Sequence, residues 1–517
     1  MSTAHNYFTT QPATLSEAEV LIQQLRQRLQ ASELRVQSLE EQLRLRRIEK
    51  YGAGSEKLSN LQLELLEREP GVSHVEVQAE STRPVLEGEA TEGMIRRKPR
   101  PHPGRQTLPP ELPRVEQVIP CPPEACVCGR CGEATKVIGY ETSEQLEREP
   151  VKYYVRVIKR EKRACDCGQN GVVTAPAPAR IIEKGLASDQ VVIDTVISKY
   201  CDHLPLYRQS AILERELGLE LSRVTLDGWV MQVGQLLIPI VRVMRDELLR
   251  GPYIQADETP VKVQMHDRRG SNHQAYLWEY SRPGGAVIFD FRLGRGREGP
   301  KQFLGNYGGL LQTDGYQAYE QVGGPGLVHA ACWAHARRGF CDVVKLNPGD
   351  PVALPIVEKI NELFAIDAVA REQNLTPEAR HALRQEQAPG VLQAIRTRIE
   401  SARATALPSG ALGKACAYTL GLWPKLTRFL EHPELELSNN QAENSIRPVA
   451  VGRKNWIHVG SPEAGPKVAA ILSVIETCRR IKLSAREYLS AVLPGLAATP
   501  IHRLPELIPT AWAARRP

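Results

Sequence analysis

Three acidic residues of this 517-residue chain, Asp257, Asp314 and Glu443, occupy positions from which one catalytic site could be built. Asp257 interrupts an apolar-alternating segment, Asp314 ends another, and Glu443 lies near a predicted helix start. A carboxylate in a half-buried strand is costly unless it is paired or binds a metal ion. Carboxylates suit hard cations such as Mg²⁺, and two such ions can activate an attacking oxygen and stabilise a leaving oxygen. Each acid alone is more often structural, but the three together indicate phosphoryl transfer.

Cysteines form a second group that could bind a metal ion, because six of the eleven lie between Cys121 and Cys167. Cys128-x-x-Cys131 and Cys165-x-Cys167 are two close pairs, as in tetrahedral thiolate sites for Zn²⁺. The N-terminus lacks a signal-peptide core, which favours a metal over disulfides and predicts a bacterial cytoplasmic protein. Cys121 and Cys126 offer substitute ligands, so the choice of four among the six stays open.

A third pair, Cys332-x-x-His335, lacks two obvious partner ligands. Trp333 and Ala334 between them favour packing at the end of a strand, so a structural role is the better interpretation. His335 or Arg337 could still lie near the acidic site.

The elements that would position the acids begin at about residue 252, where the apolar period becomes two. A helical stretch is expected around Pro300–Asn306, a helical region over 341–432 with a cap at Thr376–Glu378, and a further helix after Ser438–Asn440. The order of three hairpin-linked strands, then strand, helix and strand is that of a ribonuclease H-like sheet. The predicted strands are Tyr253–Gln264, Gln274–Tyr280, Ala286–Phe291, a run ending at Asp314, and Gly326–Ala331.

The N-terminal part has a heptad pattern over residues 15–48, broken only by Ser32. It predicts a short coiled coil and self-association; a helix docked on its own catalytic domain is the alternative. The a and d positions are Ile22, Leu25, Leu29, Val36, Leu39 and Leu43.

Residues 190–250 are predicted to be helical and contain a pattern typical of a helix-turn-helix. A helical stretch from Leu206 ends at Gly218, and a second begins at Ser222. Any two packed helices could give the same pattern, so DNA contact by Arg223 is a hypothesis here.

Basic residues cluster in a proline-rich segment, 96–105, and in Lys152–Arg163. Both clusters could follow a phosphate backbone, or be a solvated linker and a charged strand face. Net charge is only +6 and the hydrophobic fraction is 42%, both compatible with an ordinary globular protein. No apolar run reaches the ~20 residues that span a bilayer.

Several segments resemble, in order along the chain, the transposases of the insertion-sequence 66 family. The matching segments are Ala256–Pro260, Thr313–Tyr316, Cys332–Arg338, Asn439–Pro448 and Gly452–Trp456 with Gly460–Ser461 behind it.

The resemblance implies that Asp257, Asp314 and Glu443 are the catalytic DDE triad and bind two Mg²⁺ (or Mn²⁺) ions. The intervals are 314 − 257 = 57 and 443 − 314 = 129 residues, and the second agrees with a helical insertion. The implied reaction is nicking at the ends of an insertion element, followed by attack of the freed 3′-hydroxyl on target DNA.

The resemblance also places a structural zinc at the cysteine cluster and makes DNA the partner. Arg447, Arg453 and Lys454 become plausible phosphate contacts, with surface salt bridges as the alternative. Lys159 and Arg160 would lie on the phosphate-facing strand of the zinc module. A homo-oligomer through the N-terminal helix is expected, as are accessory proteins of the same element.

The sequence thus predicts a multidomain α+β protein. A catalytically inactive DNA-binding relative acting as a repressor, or a metal-dependent nuclease, are the alternative functions. The predicted domains are a coiled-coil helix (1–67), a basic proline-rich linker (68–114), a zinc-binding module (115–180), a helix-turn-helix-like region (181–250), a ribonuclease H-like catalytic domain (251–460) with its insertion at about 341–432, and a C-terminal helical segment (461–517).

Overall fold

The computed structural model describes residues 19, 22–36, 39–40, 153–155, 157–158, 162–164, 172–174, 179–183, 185–265, 271–347 and 349–515. The chain divides into two compact units, one of Met1–Pro84 with Ala177–Pro517, the other of Val85–Pro176. In the second unit, β1 (Lys162–Ala164) pairs antiparallel with β2 (Val172–Thr174).

The first unit is built on a five-stranded mixed sheet, with α-helices before, within and after its strands. Three strands form an antiparallel meander, because turns join neighbours along the chain. The strands are β3 (Tyr253–Val263), β4 (His273–Ser281), β5 (Val287–Arg292), β6 (Leu310–Thr313) and β7 (Val328–Ala331). The last two strands run parallel to β3, and the spatial order of the strands in the sheet is β5-β4-β3-β6-β7.

The helices, in chain order, are α1 (Asp189–Tyr200), α2 (Leu206–Leu217), α3 (Arg223–Leu248), α4 (Glu298–Leu304), α5 (Trp333–Leu346), α6 (Ala353–Glu372), α7 (Pro377–Thr405), α8 (Ala411–Gly421), α9 (Trp423–Leu426), α10 (Asn440–Trp456), α11 (Gly465–Arg480), α12 (Ala485–Leu496) and α13 (Pro509–Ala514).

The segment in which a helix-turn-helix was predicted contains two consecutive helices, α2 and α3. Gly218 ends α2 in the left-handed conformation (φ +63°), which glycine adopts without a Cβ clash. Ser222 caps α3 by accepting a hydrogen bond from the Thr225 amide at 3.1 Å. The body of α3 is long and apolar enough to cross a membrane by composition, but Val230, Leu237 and others of its side chains are buried in the protein core. It is therefore the central helix of this unit.

Helix α11 covers the outer edge of the sheet. The Val287 and Phe289 amides of edge strand β5 donate to the hydroxyls of Thr477 (2.9 Å) and Ser473 (2.8 Å). Helix and strand approach closely at Gly465, where an added Cβ would lie 2.1 Å from the Phe291 ring. Two side-chain hydroxyls thus accept hydrogen bonds that a neighbouring strand would otherwise accept.

The helical insertion, α5 to α9, forms a second core against β6 and β7. Its centre holds a buried ionic cluster: Asp367 of α6 lies 2.7 Å from both Arg380 and Arg384 of α7. Arg384, 1% exposed, also donates to the Leu435 carbonyl (2.8 Å). Arg380 reaches Glu436 at 3.1 Å. The insertion is therefore tied to the segment that precedes α10.

At the N-terminus, residues 22–36 are helical, as predicted. All described side chains of this helix are exposed, among them the heptad positions Ile22 (50%), Leu25 (54%) and Leu29 (61%). The described heptad positions are therefore not buried against the rest of the described chain.

Candidate active site

Asp257 lies on β3, and Asp314 immediately follows the neighbouring parallel strand β6. Gln255 of β3 pairs with Gln312 of β6, and each acid follows its glutamine by two residues. Side chains alternate along a strand, so Asp257 shares the strand face of Gln255, and adjacent strands lie about 4.8 Å apart. Local hydrogen bonds orient both carboxylates: Asp257 accepts from the Glu258 amide and Asp314 from the Tyr316 amide, each at 2.8 Å.

Glu443 reaches this face because the segment before α10 is bound to the sheet. The buried side-chain amide of Gln255 donates to the Ser438 carbonyl (3.0 Å), and the side-chain amide of Gln312 donates to the Glu436 carbonyl (2.7 Å). The Trp333 amide at the start of α5 donates to the Leu437 carbonyl (2.9 Å). These bonds place the first turn of α10, which contains Glu443, beside β3.

The electrostatics of Asp257 reflect the other two predicted triad acids. Burial, followed by the negative charge of Glu443, holds the pKa of Asp257 well above its ordinary value. The charge of Asp314 acts in the same direction. A like charge raises the pKa of a carboxyl group mainly at short range, which agrees with the placement of Asp257 near both acids.

Two side chains of α5 contact Glu443. His335 Nε2 lies 3.3 Å from Glu443 Oε1, and Arg338 Nη2 lies 3.4 Å from Oε2. Burial lowers the pKa of His335 more than Glu443 raises it, which favours the neutral imidazole. The sequence suggested His335 or Arg337 near the site; His335 is there, whereas Arg337 binds Asn361 on α6 at 2.7 Å. The contact from Arg338 was not anticipated, although Arg338 closes the Cys332–Arg338 segment.

A fourth acid, Glu258, lies beside Asp257 on the opposite strand face. It accepts hydrogen bonds from Arg295 (2.6 Å) and from Tyr319 (3.0 Å), and its side chain is 2% exposed. Arg295 also lies 4.0 Å from the ring centroid of Tyr316. The negative charge of Glu258 is thus balanced by Arg295.

The donor set of the site fits a hard divalent cation. The described residues contain no group of three or more His, Cys, Asp or Glu side chains already arranged to hold a metal ion. The charges of Asp314 and Glu443 nevertheless act on Asp257, and Glu443 Oε1, 3.3 Å from His335 Nε2, has no hydrogen-bond partner among the described residues. A cation among these oxygens would relieve the repulsion that raises the pKa of Asp257.

The predicted DNA-binding residues are placed differently from one another. Arg447 and Lys454 are exposed on α10, whereas Arg453 is held to β3 by Thr259 (2.8 Å) and by the Pro260 carbonyl (2.5 Å). Arg223 is exposed at the start of α3. Lys159 and Arg160 lie outside the described residues.

The predicted zinc ligands also lie outside the described residues, as do Cys121 and Cys126. Within the basic strand expected over Lys152–Arg163, the described residues Lys162 and Arg163 belong to β1, whereas residues 153–155 and 157–158 have no regular secondary structure. Their side chains, such as Val155 (88% exposed), pack against no sheet in the described part of the chain, so that part of the prediction was wrong. The four ligands assigned from the sequence are Cys128, Cys131, Cys165 and Cys167.

Comparison with known proteins identifies the family. Residues 184–467 match the transposase domain of the IS66 family. Residues 125–168 match its zinc-finger binding domain, and residues 38–116 match a domain described as transposase C of IS166 homeodomain. This chain belongs to the IS66 family of transposases.

Relatives extend over nearly the full chain. The uncharacterized protein y4jD of Sinorhizobium fredii is 32% identical over 488 residues, covering 90% of this chain and 92% of the relative. The uncharacterized protein y4hP of the same organism is 30% identical over 509 residues, covering 93% and 88%. The similarity therefore includes the regions before and after the catalytic unit.

Proposed function

We propose that this chain binds the ends of an insertion element and catalyses metal-dependent DNA cleavage and strand transfer. Asp257, Asp314 and Glu443 are assigned as the DDE triad. The observation that carries the proposal is the placement of the acids on adjoining elements: Asp257 on β3, Asp314 directly after the parallel neighbour β6, and Glu443 in the first turn of α10, which packs on β3. The raised pKa of Asp257 supports it. Membership of the IS66 family supports the same assignment.

The sheet is assigned to the ribonuclease H-like fold. Its order β5-β4-β3-β6-β7, with an antiparallel meander followed by two parallel strands, supports this assignment. In this fold the acids come from the first strand, the fourth strand and a late helix, which correspond to β3, β6 and α10. The insertion at about 341–432 then lies between the second and third acids.

The chain's own residues hold and orient the reacting groups. Two divalent ions, Mg²⁺ or Mn²⁺, supply activation of the attacking oxygen and stabilisation of the leaving oxygen when bound. Asp257 and Asp314, fixed by backbone amides, would be rigid ligands. Glu443, whose carboxylate lies 3.3 Å from His335 and 3.4 Å from Arg338, would be the adjustable one.

The remaining modules would serve DNA binding and assembly. A structural zinc at 115–180, the helix-turn-helix-like region 181–250 and the exposed Arg447 and Lys454 would hold the element ends. The exposed heptad seam of residues 22–36 supports a homo-oligomer. The location assigned is the bacterial cytoplasm, with accessory proteins of the same element as further partners.

The experiment uses purified full-length protein, DNA from the borders of the gene, and Mg²⁺ or Mn²⁺. Wild-type protein should nick the element end and join it to target DNA. Asp257→Asn, Asp314→Asn and Glu443→Gln should each abolish both reactions while retaining end binding, because each removes a metal ligand. Mn²⁺ binding, followed by electron paramagnetic resonance, should weaken in all three variants.

Glu362→Gln is the matched control, since this exposed α6 acid pairs with Lys359 at 2.8 Å. It should keep cleavage, joining and Mn²⁺ binding. Cleavage without joining would favour the nuclease alternative, and end binding without cleavage would favour the inactive repressor. Full cleavage by Glu443→Gln would remove Glu443 from the site.

A further inference from the structure

A cavity of about 270 Å³ lies at the far end of α10 from Glu443. Its walls come from the end of α1, the first turns of α3 and the chain from the end of α10 into α11. The side chains used below are Lys199, Tyr200, Asp227, Trp456, His458 and Lys467.

One wall carries a half-buried lysine without a close counter-ion among the described residues. Lys199 Nζ forms no ion pair within 4.0 Å with a described residue and lies 5.4 Å from the Tyr200 ring centroid. Desolvation lowers the pKa of Lys199, and the more distant Asp227 opposes that shift. Lys467 adds a second positive charge to the lining. A partly desolvated lysine that lines a cavity is suited to an anionic ligand.

The lining is mixed, because Asp227 and Glu463 also border the cavity. A bare phosphate would be repelled by these two carboxylates. A nucleotide satisfies both kinds of group, since its phosphate is anionic and its base carries exocyclic amino donors that carboxylates accept. The Tyr200 and Trp456 rings, 6.4 Å apart and edge to face, form an inner wall of the cavity and are almost fully buried (3% and 8% exposed).

A strained apolar residue lies in the chain between two residues that line the cavity, Trp456 and His458. Ile457, 59% exposed, has φ +66° and ψ −56°, a conformation that is costly for a β-branched side chain. The His458 amide closes this turn by donating to the Trp456 carbonyl at 2.7 Å. The following residue is fixed to the sheet, because the Val459 amide donates to the Lys262 carbonyl (2.8 Å). An exposed isoleucine gains nothing in folding from this strain, and inserted apolar side chains of this kind separate stacked bases.

The distance of the cavity from Glu443 is compatible with one DNA end that lies along α10. Glu443 and Trp456 are 456 − 443 = 13 residues apart on α10, which is about 20 Å at the rise of an α-helix. At 3.4 Å per nucleotide, this corresponds to about six nucleotides from the scissile phosphate. Arg223, one turn before Asp227 on α3, faces solvent next to the cavity.

We propose that this cavity binds one nucleotide of the element end, turned out of the duplex, while Ile457 fills the space it leaves in the base stack. Lys199 and Lys467 bind its phosphate, and Asp227 accepts from the amino group of its base. The inference rests on the proposed function, since it requires DNA to lie along α10 from Glu443.

The test places a single 2-aminopurine at successive positions of an element-end duplex, bound to full-length Glu443→Gln protein so that no cleavage occurs. Unstacking raises the fluorescence of this base. We expect a several-fold rise at about the sixth position from the cleavage point, and little change elsewhere. Equal fluorescence at all positions would overturn the proposal.

Two variants and one control, each made in the same background, assign the effect. Ile457→Gly, which removes the wedge and relieves the backbone strain, should lose the fluorescence rise without losing thermal stability. Lys199→Gln should weaken end binding about tenfold, as expected for one charge-assisted contact. Val451→Ala removes an equally exposed apolar side chain (53%) of α10 outside the cavity and should change neither readout.

The outcomes separate this proposal from the proposed function. Cleavage by wild-type protein without any position-specific fluorescence would overturn the nucleotide site and leave the transposase assignment intact. Absence of DNA binding would overturn both. If deoxynucleoside monophosphates bind the cavity, measured by Trp fluorescence, while DNA gives no position-specific rise, the occupant is a free nucleotide and the proposal fails.

Discussion

Replacing Asp367 by asparagine should strongly destabilise the catalytic unit. Asp367 lies 2.7 Å from both Arg380 and Arg384, and the side chain of Arg384 is 1% exposed. The substitution keeps the shape of the side chain but leaves a buried guanidinium without its counter-ion. Removing one partner of a buried ion pair costs about 3–5 kcal/mol, so we expect that loss in the free energy of unfolding. Urea unfolding at pH 7, followed by Trp fluorescence, measures it.

The pH dependence gives a second readout of the same interaction. Burial alone would raise the pKa of Asp367, but Arg384 and Arg380 outweigh it and lower the pKa. A lowered pKa in the folded state gives stability that is present above the unfolded value of about 3.9 and is lost as pH falls through the folded value. The difference between wild type and variant should therefore be constant from pH 8 to pH 5 and shrink only below about pH 4.

A surface pair on the same helix is the control. Arg396 and Glu400 of α7 lie 2.8 Å apart, with side chains 50% and 52% exposed. Glu400→Gln should change the free energy of unfolding by no more than ~0.5 kcal/mol. A loss below about 1 kcal/mol for Asp367→Asn, or an equal loss for Glu400→Gln, would refute the argument that burial makes the Asp367 cluster important.

Two further predictions concern packing and zinc. Gly465→Ala should cost about 1–3 kcal/mol of unfolding free energy, because its Cβ would overlap Phe291; Gly228→Ala, on the exposed face of α3 with no atom within 4 Å, should instead gain ~0.5–1 kcal/mol. Urea unfolding separates these two results, and equal effects would contradict the packing argument. Purified protein should contain about one zinc per chain by elemental analysis, and a folded metal-free preparation would contradict the assigned ligands: Cys128, Cys131, Cys165 and Cys167.

Strands were predictable because their information is local. Alternation of apolar and polar residues predicted β3 at Tyr253–Gln264, and the strand observed is Tyr253–Val263. The helix expected at Pro300–Asn306 is Glu298–Leu304, since Gly305, with φ +54°, ends it earlier. Such boundary differences arise where a single turn residue decides the end of an element.

Contacts between distant segments could not be predicted in this way. Arg338 and Glu443 are 105 residues apart, and only the docking of α5 against α10 brings them together. The same holds for the amides of Gln255 and Gln312, whose burial depends on the carbonyls of Ser438 and Glu436. A polar residue in a strand signals that a partner is needed, but it does not identify the partner.

The hydrogen bonds that Ser473 and Thr477 of α11 accept from edge strand β5 have a consequence for solubility. An exposed edge offers unpaired amides to any other strand, and such edges promote aggregation between identical chains. Here two of those amides, at Val287 and Phe289, are already occupied by side chains of α11. Because α11 is a late part of the chain, a product truncated before residue 465 would expose this edge and become prone to polymerise through it. The C-terminal helix α11 thus prevents β5 from pairing with the same strand of another chain.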